Sequence, residues 1–205
     1  FSLMGVQEYS PVTDLPRRYN IEVGSASPCA IIYDKEAFSG GYEVKALPAA
    51  AGGSAMGTTS QKTMLGVLRG DYTLGVAVVH AKNPKKEGVN SLAEWICRLQ
   101  GASGQASFVA LCDLNIEEAG VFATFFGVIR GYAQAARLSV GLLGGDKPDT
   151  HKQRTAVSAQ YSKVNKVVKC FKTWQIWFAK IGQPGIAHAM IAAGKTTTKG
   201  ECFVV

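Results

Sequence analysis

Acid is nearly absent from the last quarter of this chain. From His151 to Val205 there is a single carboxylate side chain, Glu201, against nine Lys and Arg residues, a local net charge of +8. Residues 1–150 hold the other 13 bases and 14 acids, so the whole +7 excess sits at the carboxyl end. Charge of either sign is scarce overall, at 18% of residues where about a quarter is usual. With 47% hydrophobic residues, intrinsic disorder is excluded and a sizeable core is expected. So few charges also suit a surface partly covered by other copies of the chain.

Other absences narrow the possibilities. No apolar run reaches the roughly 18 residues of a spanning helix, and no secretory leader is read, so stable membrane insertion is not expected. Five cysteines (Cys29, Cys97, Cys112, Cys170, Cys202) include no CxxC pair. That argues against a zinc ribbon and for reduced thiols, hence a cytoplasmic, nuclear or virion setting. His80, His151 and His188 are far apart and lack ligand-spaced neighbours, so no metal or cofactor is expected. Carboxylates are few and sit mostly at helix starts, which disfavours a paired-acid hydrolase. The start at Phe1 leads us to expect further residues upstream.

What is present reads as an α+β protein, with a strand-rich N-terminal half and a predominantly helical C-terminal half. Residues 1–28, with Pro11, Pro16 and Pro28, read as an extended arm. A mixed α+β core is expected over 29–143. Within it, strands are expected at Cys29–Tyr33, Tyr42–Leu47, Met64–Leu68, Tyr72–Ala81 and Ser107–Leu114. Ser91 and Glu94 form a capping box for a helix that Gly101 ends, so residues 72–114 are read as one βαβ unit. Asn115 with Glu118 caps the longest apolar stretch, Ile116–Leu143, expected as a helix buried in the core or against another subunit. Gly144–Thr150 marks a break, and 144–205 is expected as a basic helical segment packed on the core.

The basic segment carries the functional expectation. On a helix over Ser158–Ile181, Tyr161, Val164, Val168, Phe171, Trp174 and Phe178 share one arc. Lys166, Lys169, Lys172 and Lys180 fall opposite, with Lys163 at the border. Lysines three apart repel, which folding alone does not reward, whereas a polyanion releases counterions on binding them. Trp177 projects from the basic side, where it can stack on a base. Arg154, the loop residues Lys82, Lys85 and Lys86, and Arg130 and Arg137 in the apolar run are further phosphate candidates. Lysine without arginine's fork points to backbone contact with no base reading. Arg17-Arg18 reads as a surface pair.

Two motifs fail. "AAGKTTT" (Ala192–Thr198) has Ala189 where a phosphate-binding loop needs glycine, and "CFVV" at the end is a poor lipidation box. The sequence reading is therefore a non-enzymatic, self-associating protein that coats RNA or single-stranded DNA, like a capsid protein or nucleoprotein. Its alternatives are a small enzyme using Cys112, Asp113 and His80, or a protein that docks on membranes or partners through the 158–181 helix.

Overall fold

The computed structural model describes residues 2–7, 9, 15–25, 27–49, 59–81, 84, 88–116, 119–144, 171–181 and 202–204. Ten strands and two helices lie among them: β1 (Leu3–Val6), β2 (Tyr19–Val23), β3 (Ala30–Asp34), β4 (Gly41–Val44), β5 (Thr63–Arg69), β6 (Thr73–His80), α1 (Val89–Ser103), β7 (Phe108–Ile116), α2 (Ala119–Ala135), β8 (Leu138–Gly144), β9 (Phe171–Lys180) and β10 (Cys202–Val204). The larger sheet runs β4-β5-β6-β7-β9-β8 and the smaller β10-β1-β3-β2. Only β6 and β7 pair in parallel, with α1 as their crossover, so the βαβ unit read from the sequence is present.

Three layers result. Helices α1 and α2 cover one face of the larger sheet, burying Trp95, Ile96, Leu99, Phe125 and Ile129 against Ala77, Val79, Ala110 and Phe178. The smaller sheet covers the other face, where Leu3, Ile31 and Tyr33 meet Val76, Val78, Val109 and Leu111. Strand β1 lies directly on the parallel pair, and a Cβ at Gly5 would come within 2.7 Å of Leu111. Strand β7, at the centre, is buried along nearly its whole length. A strand covered on both faces reads as a continuous apolar run, as "FVALC" does.

The expected division into a strand-rich half and a helical half is overturned. Strands recur throughout the chain, and β7 to β10 all lie in the second half. The run Ile116–Leu143 is not one helix. It splits at Ala136-Arg137, where Arg137 takes a left-handed φ of 54° and sends the chain back as β8. That conformation usually selects glycine or asparagine, so an arginine there gave no stop signal. Residues 171–180 of the expected basic helix form β9, an interior strand paired with both β7 and β8. Ile176 and Phe178 face the helices while Trp177 and Ala179 face the smaller sheet. An apolar stretch buried on both faces satisfies a helical arc as readily as a strand. Gly141 makes room for this strand, since a Cβ there would sit 2.2 Å from the Trp177 ring.

Helix ends differ in detail from expectation. Helix α1 starts at Val89 after Gly88 with no side-chain cap, so Ser91 and Glu94 lie inside it. Gly101 remains helical and Gly104, at φ 68°, supplies the stop. The apolar side of α2 faces the sheet and α1, and its outer positions are small or charged: Ala123, Thr124, Gly127, Arg130 and Gly131. No helix among the described residues is long and apolar enough to cross a membrane.

Candidate acid–base centre at the ends of the parallel strands

Strand β6, "TLGVAVVH", alternates its side chains between the two buried faces, and its last residue is His80. The parallel register sets His80 beside Asp113 of β7. Val78 and Leu111, one pleat earlier on each strand, face the smaller sheet, so His80 and Asp113 share that face. The imidazole Nε2 stands 3.9 Å from Asp113 Oδ2, and the two side chains are 8% and 6% exposed. A histidine and a carboxylate are thus held together, nearly shielded from water, toward the carboxyl ends of the parallel strands.

The backbone around the pair is stitched together. His80 N–H donates to the Lys62 carbonyl, and Ala81 N–H donates to the Asp113 carbonyl at 2.8 Å. Asn115 N–H donates to Asp113 Oδ1 at 3.2 Å, which fixes the carboxylate with its other oxygen toward His80. Asn115 itself is left-handed, at φ 50°, and its Nδ2 donates to the Ala81 carbonyl at 2.8 Å. Asparagine tolerates that conformation better than most residues. The β7–β9 register breaks between Asp113 and Ile116, a bulge that releases Asn115 from the ladder. Gln7, just beyond β1, reaches the same strand and donates from Nε2 to the Leu111 carbonyl at 2.9 Å. Buried Gln175 of β9, opposite Leu111, adds a polar side chain to this face one pleat before Asp113.

A buried histidine beside a fixed carboxylate can accept a proton and have the resulting charge stabilised, the elementary requirement of general acid–base work. Among the described residues no cluster of three or more His, Cys, Asp or Glu forms a metal site.

The residues flagged from sequence fall into three groups. His80 and Asp113 come together, but Cys112 does not join them. It points to the helix face, fully buried, and burial pushes its thiol pKa well above the ordinary range. Arg130 and Arg137 are exposed and so need no buried partner. Trp177 is not a surface aromatic: it is 9% exposed, packed in the core between the sheets. Lys172 lies in β9 and Lys180 ends it, exposed to solvent. Arg18 of the expected surface pair is bound to Asp34. Lys82, Lys85, Lys86, Arg154, Lys163, Lys166 and Lys169 lie outside the described residues.

Sequence reading missed Gln7 and took Asn115 for a helix cap. Only the parallel register brings these residues to His80, and no local spacing announces it. No protein-family model matches the chain, and no curated protein is significantly similar to it.

Proposed function

We propose that the chain is a hydrolase of nucleic-acid phosphodiesters, with His80 and Asp113 as its acid–base pair. The observation that carries this reading is the burial of that pair toward the carboxyl ends of the only parallel strand pair among the described residues. The +8 charge of residues 151–205 supports a polyanionic substrate, because each phosphate met by a lysine releases counterions. In the reaction, His80 takes a proton from water as its oxygen attacks phosphorus. The bond from phosphorus to the leaving nucleoside oxygen breaks, and His80 returns the proton to that oxygen. Asp113 orients the imidazole and stabilises its charged form.

The nucleic-acid partner expected from the sequence is kept and the non-enzymatic role is replaced. Self-association remains a proposal resting on the low charged fraction alone. The test uses the full chain in magnesium-containing buffer with fluorescent single-stranded RNA and DNA oligonucleotides. His80→Ala should lower the cleavage rate by about 10²–10⁴-fold. Cleavage at the parent rate in that variant, or none by the parent chain, defeats the proposal. Replacing Lys163, Lys166 and Lys169 by Gln should weaken binding to every oligonucleotide. It should also flatten the dependence of log K on log salt by about 0.7 for each phosphate that is no longer neutralised.

A further inference from the structure

Between the edge of the smaller sheet and the β4–β5 edge of the larger one lies a cleft of about 500 Å³. That is ample for a small organic group, and ligand sites commonly run from about 300 to 1,000 Å³. Its walls are apolar and unusually open for such residues: Val23 is 51% exposed, Val44 75% and Leu47 38%. Two of its lining residues, Tyr42 and Ser27, carry hydroxyl oxygens that are shielded from solvent, and neither has a hydrogen-bond partner among the described residues.

Tyr42 is held in place by the fold. Its ring lies flat on Gly66, where any Cβ would come within 2.2 Å of it. Burial, with help from Glu22, raises the pKa of its phenol, so the hydroxyl stays protonated and able to donate. A buried donor left without an acceptor costs about 1–3 kcal/mol, so the pair invites a partner.

The acid–base centre is tied through the backbone to the cleft. Gln61 and Thr63 line it, and the Lys62 carbonyl between them accepts the His80 N–H at 3.0 Å. One strand spacing, roughly 4.8 Å, separates β5 from β6. The ligand wanted has flat apolar faces for Val23, Val44 and Leu47 and a hydrogen-bonding edge for Tyr42, Ser27 and Glu22. A nucleobase has that character, every base offering an apolar π-face and a polar rim.

We propose that this cleft receives one unstacked base of the nucleic-acid strand and so sets where the backbone meets His80. The proposal rests on the phosphodiesterase reading but is tested without turnover. AMP, GMP, CMP, UMP and, as a base-free control, ribose 5-phosphate are titrated separately into the full chain by isothermal calorimetry. At least one nucleotide should bind more tightly than ribose 5-phosphate. Tyr42→Phe, which keeps the ring on Gly66, should weaken that binding about 2- to 12-fold by removing the hydrogen bond. Val44→Trp, at an exposed position, should occlude the cleft and abolish it.

Equal binding of ribose 5-phosphate, or nucleotide affinities unchanged in both variants, overturns the proposal. Base-dependent binding by a parent chain that cleaves nothing would sustain the cleft and sink only the hydrolase reading. Cleavage that survives with base-independent binding would do the reverse.

Discussion

The two faces of the six-stranded sheet are both buried, yet they admit different chemistry. Toward the helices, Ala77, Val79, Ala110, Cys112, Ile176 and Phe178 form an unbroken apolar layer. Toward the smaller sheet, Val76, Val109 and Trp177 lie level with one another, Gln175 lies level with Val78 and Leu111, and His80 and Asp113 follow one pleat along. Burying polar groups costs stability unless they are satisfied. A layer that serves only to hold the fold has no reason to gather three of them toward one end. The helix face is therefore apolar throughout, and the end of the other face is where the proposed acid–base pair lies.

This contrast breaks most visibly under truncation of the helix face. Phe125 of α2 is fully buried, with its ring 6.0 Å from that of Phe122. Phe125→Ala should cost about 3–5 kcal/mol, a drop of roughly 10 °C or more in Tm for a chain of this size. Calorimetric unfolding checks it, and a shift of only a degree or two would mean that α2 packs loosely on the sheet. The fall in activity should follow only the fraction unfolded, since Phe125 is on the face away from His80.

A double-mutant cycle sharpens the comparison at the other face. If His80 and Asp113 act as one unit, removing either leaves a buried polar partner uncompensated, and removing both costs less than the sum. The coupling between His80→Leu and Asp113→Asn should be about 0.5–3 kcal/mol in urea unfolding. His80→Leu with Phe125→Ala should be additive within about 0.5 kcal/mol. Additivity in the first cycle would reduce the pair to two neighbours that happen to share a register.

The same asymmetry explains what was legible in the sequence. Strands β3 and β5 to β7 and helix α1 showed through because turns or glycines bounded compact apolar runs. Strand β9 did not. Buried on both faces, "WQIWF" carries no period-two signal, and neighbouring lysines at spacing three imitated an amphipathic helix. The break after α2 was hidden because Arg137 takes a conformation that glycine usually marks. His80 and Asp113 drew attention singly, as a strand end and a strand residue near a cysteine. Pairing them required knowing that β6 and β7 run parallel in a particular register, and Gln7 enters from the opposite end of the smaller sheet's sequence. Tyr42 and Ser27 were invisible for a related reason. Their significance is an unmet hydrogen bond between two different sheets, which belongs to no local pattern.

The smallest expected effect lies in the smaller sheet, away from both faces compared above. Asp34, at the end of β3, accepts hydrogen bonds from the Arg18 guanidinium and from the Glu36 backbone N–H. These interactions, Arg18 first, hold its carboxyl below the usual carboxylate range and raise the Arg18 guanidinium in turn. Because the folded pKa lies below the unfolded one, the contribution is complete above the ordinary carboxylate pKa. It fades as pH falls through the depressed value and is gone below it. Asp34→Asn should therefore lower stability at neutral pH and converge with the parent as the pH falls, which flattens the acid limb of the stability curve. Urea midpoints measured from pH 7 down to 2 for both proteins read this directly. If the limbs coincide, the Arg18 interaction contributes nothing to stability in solution.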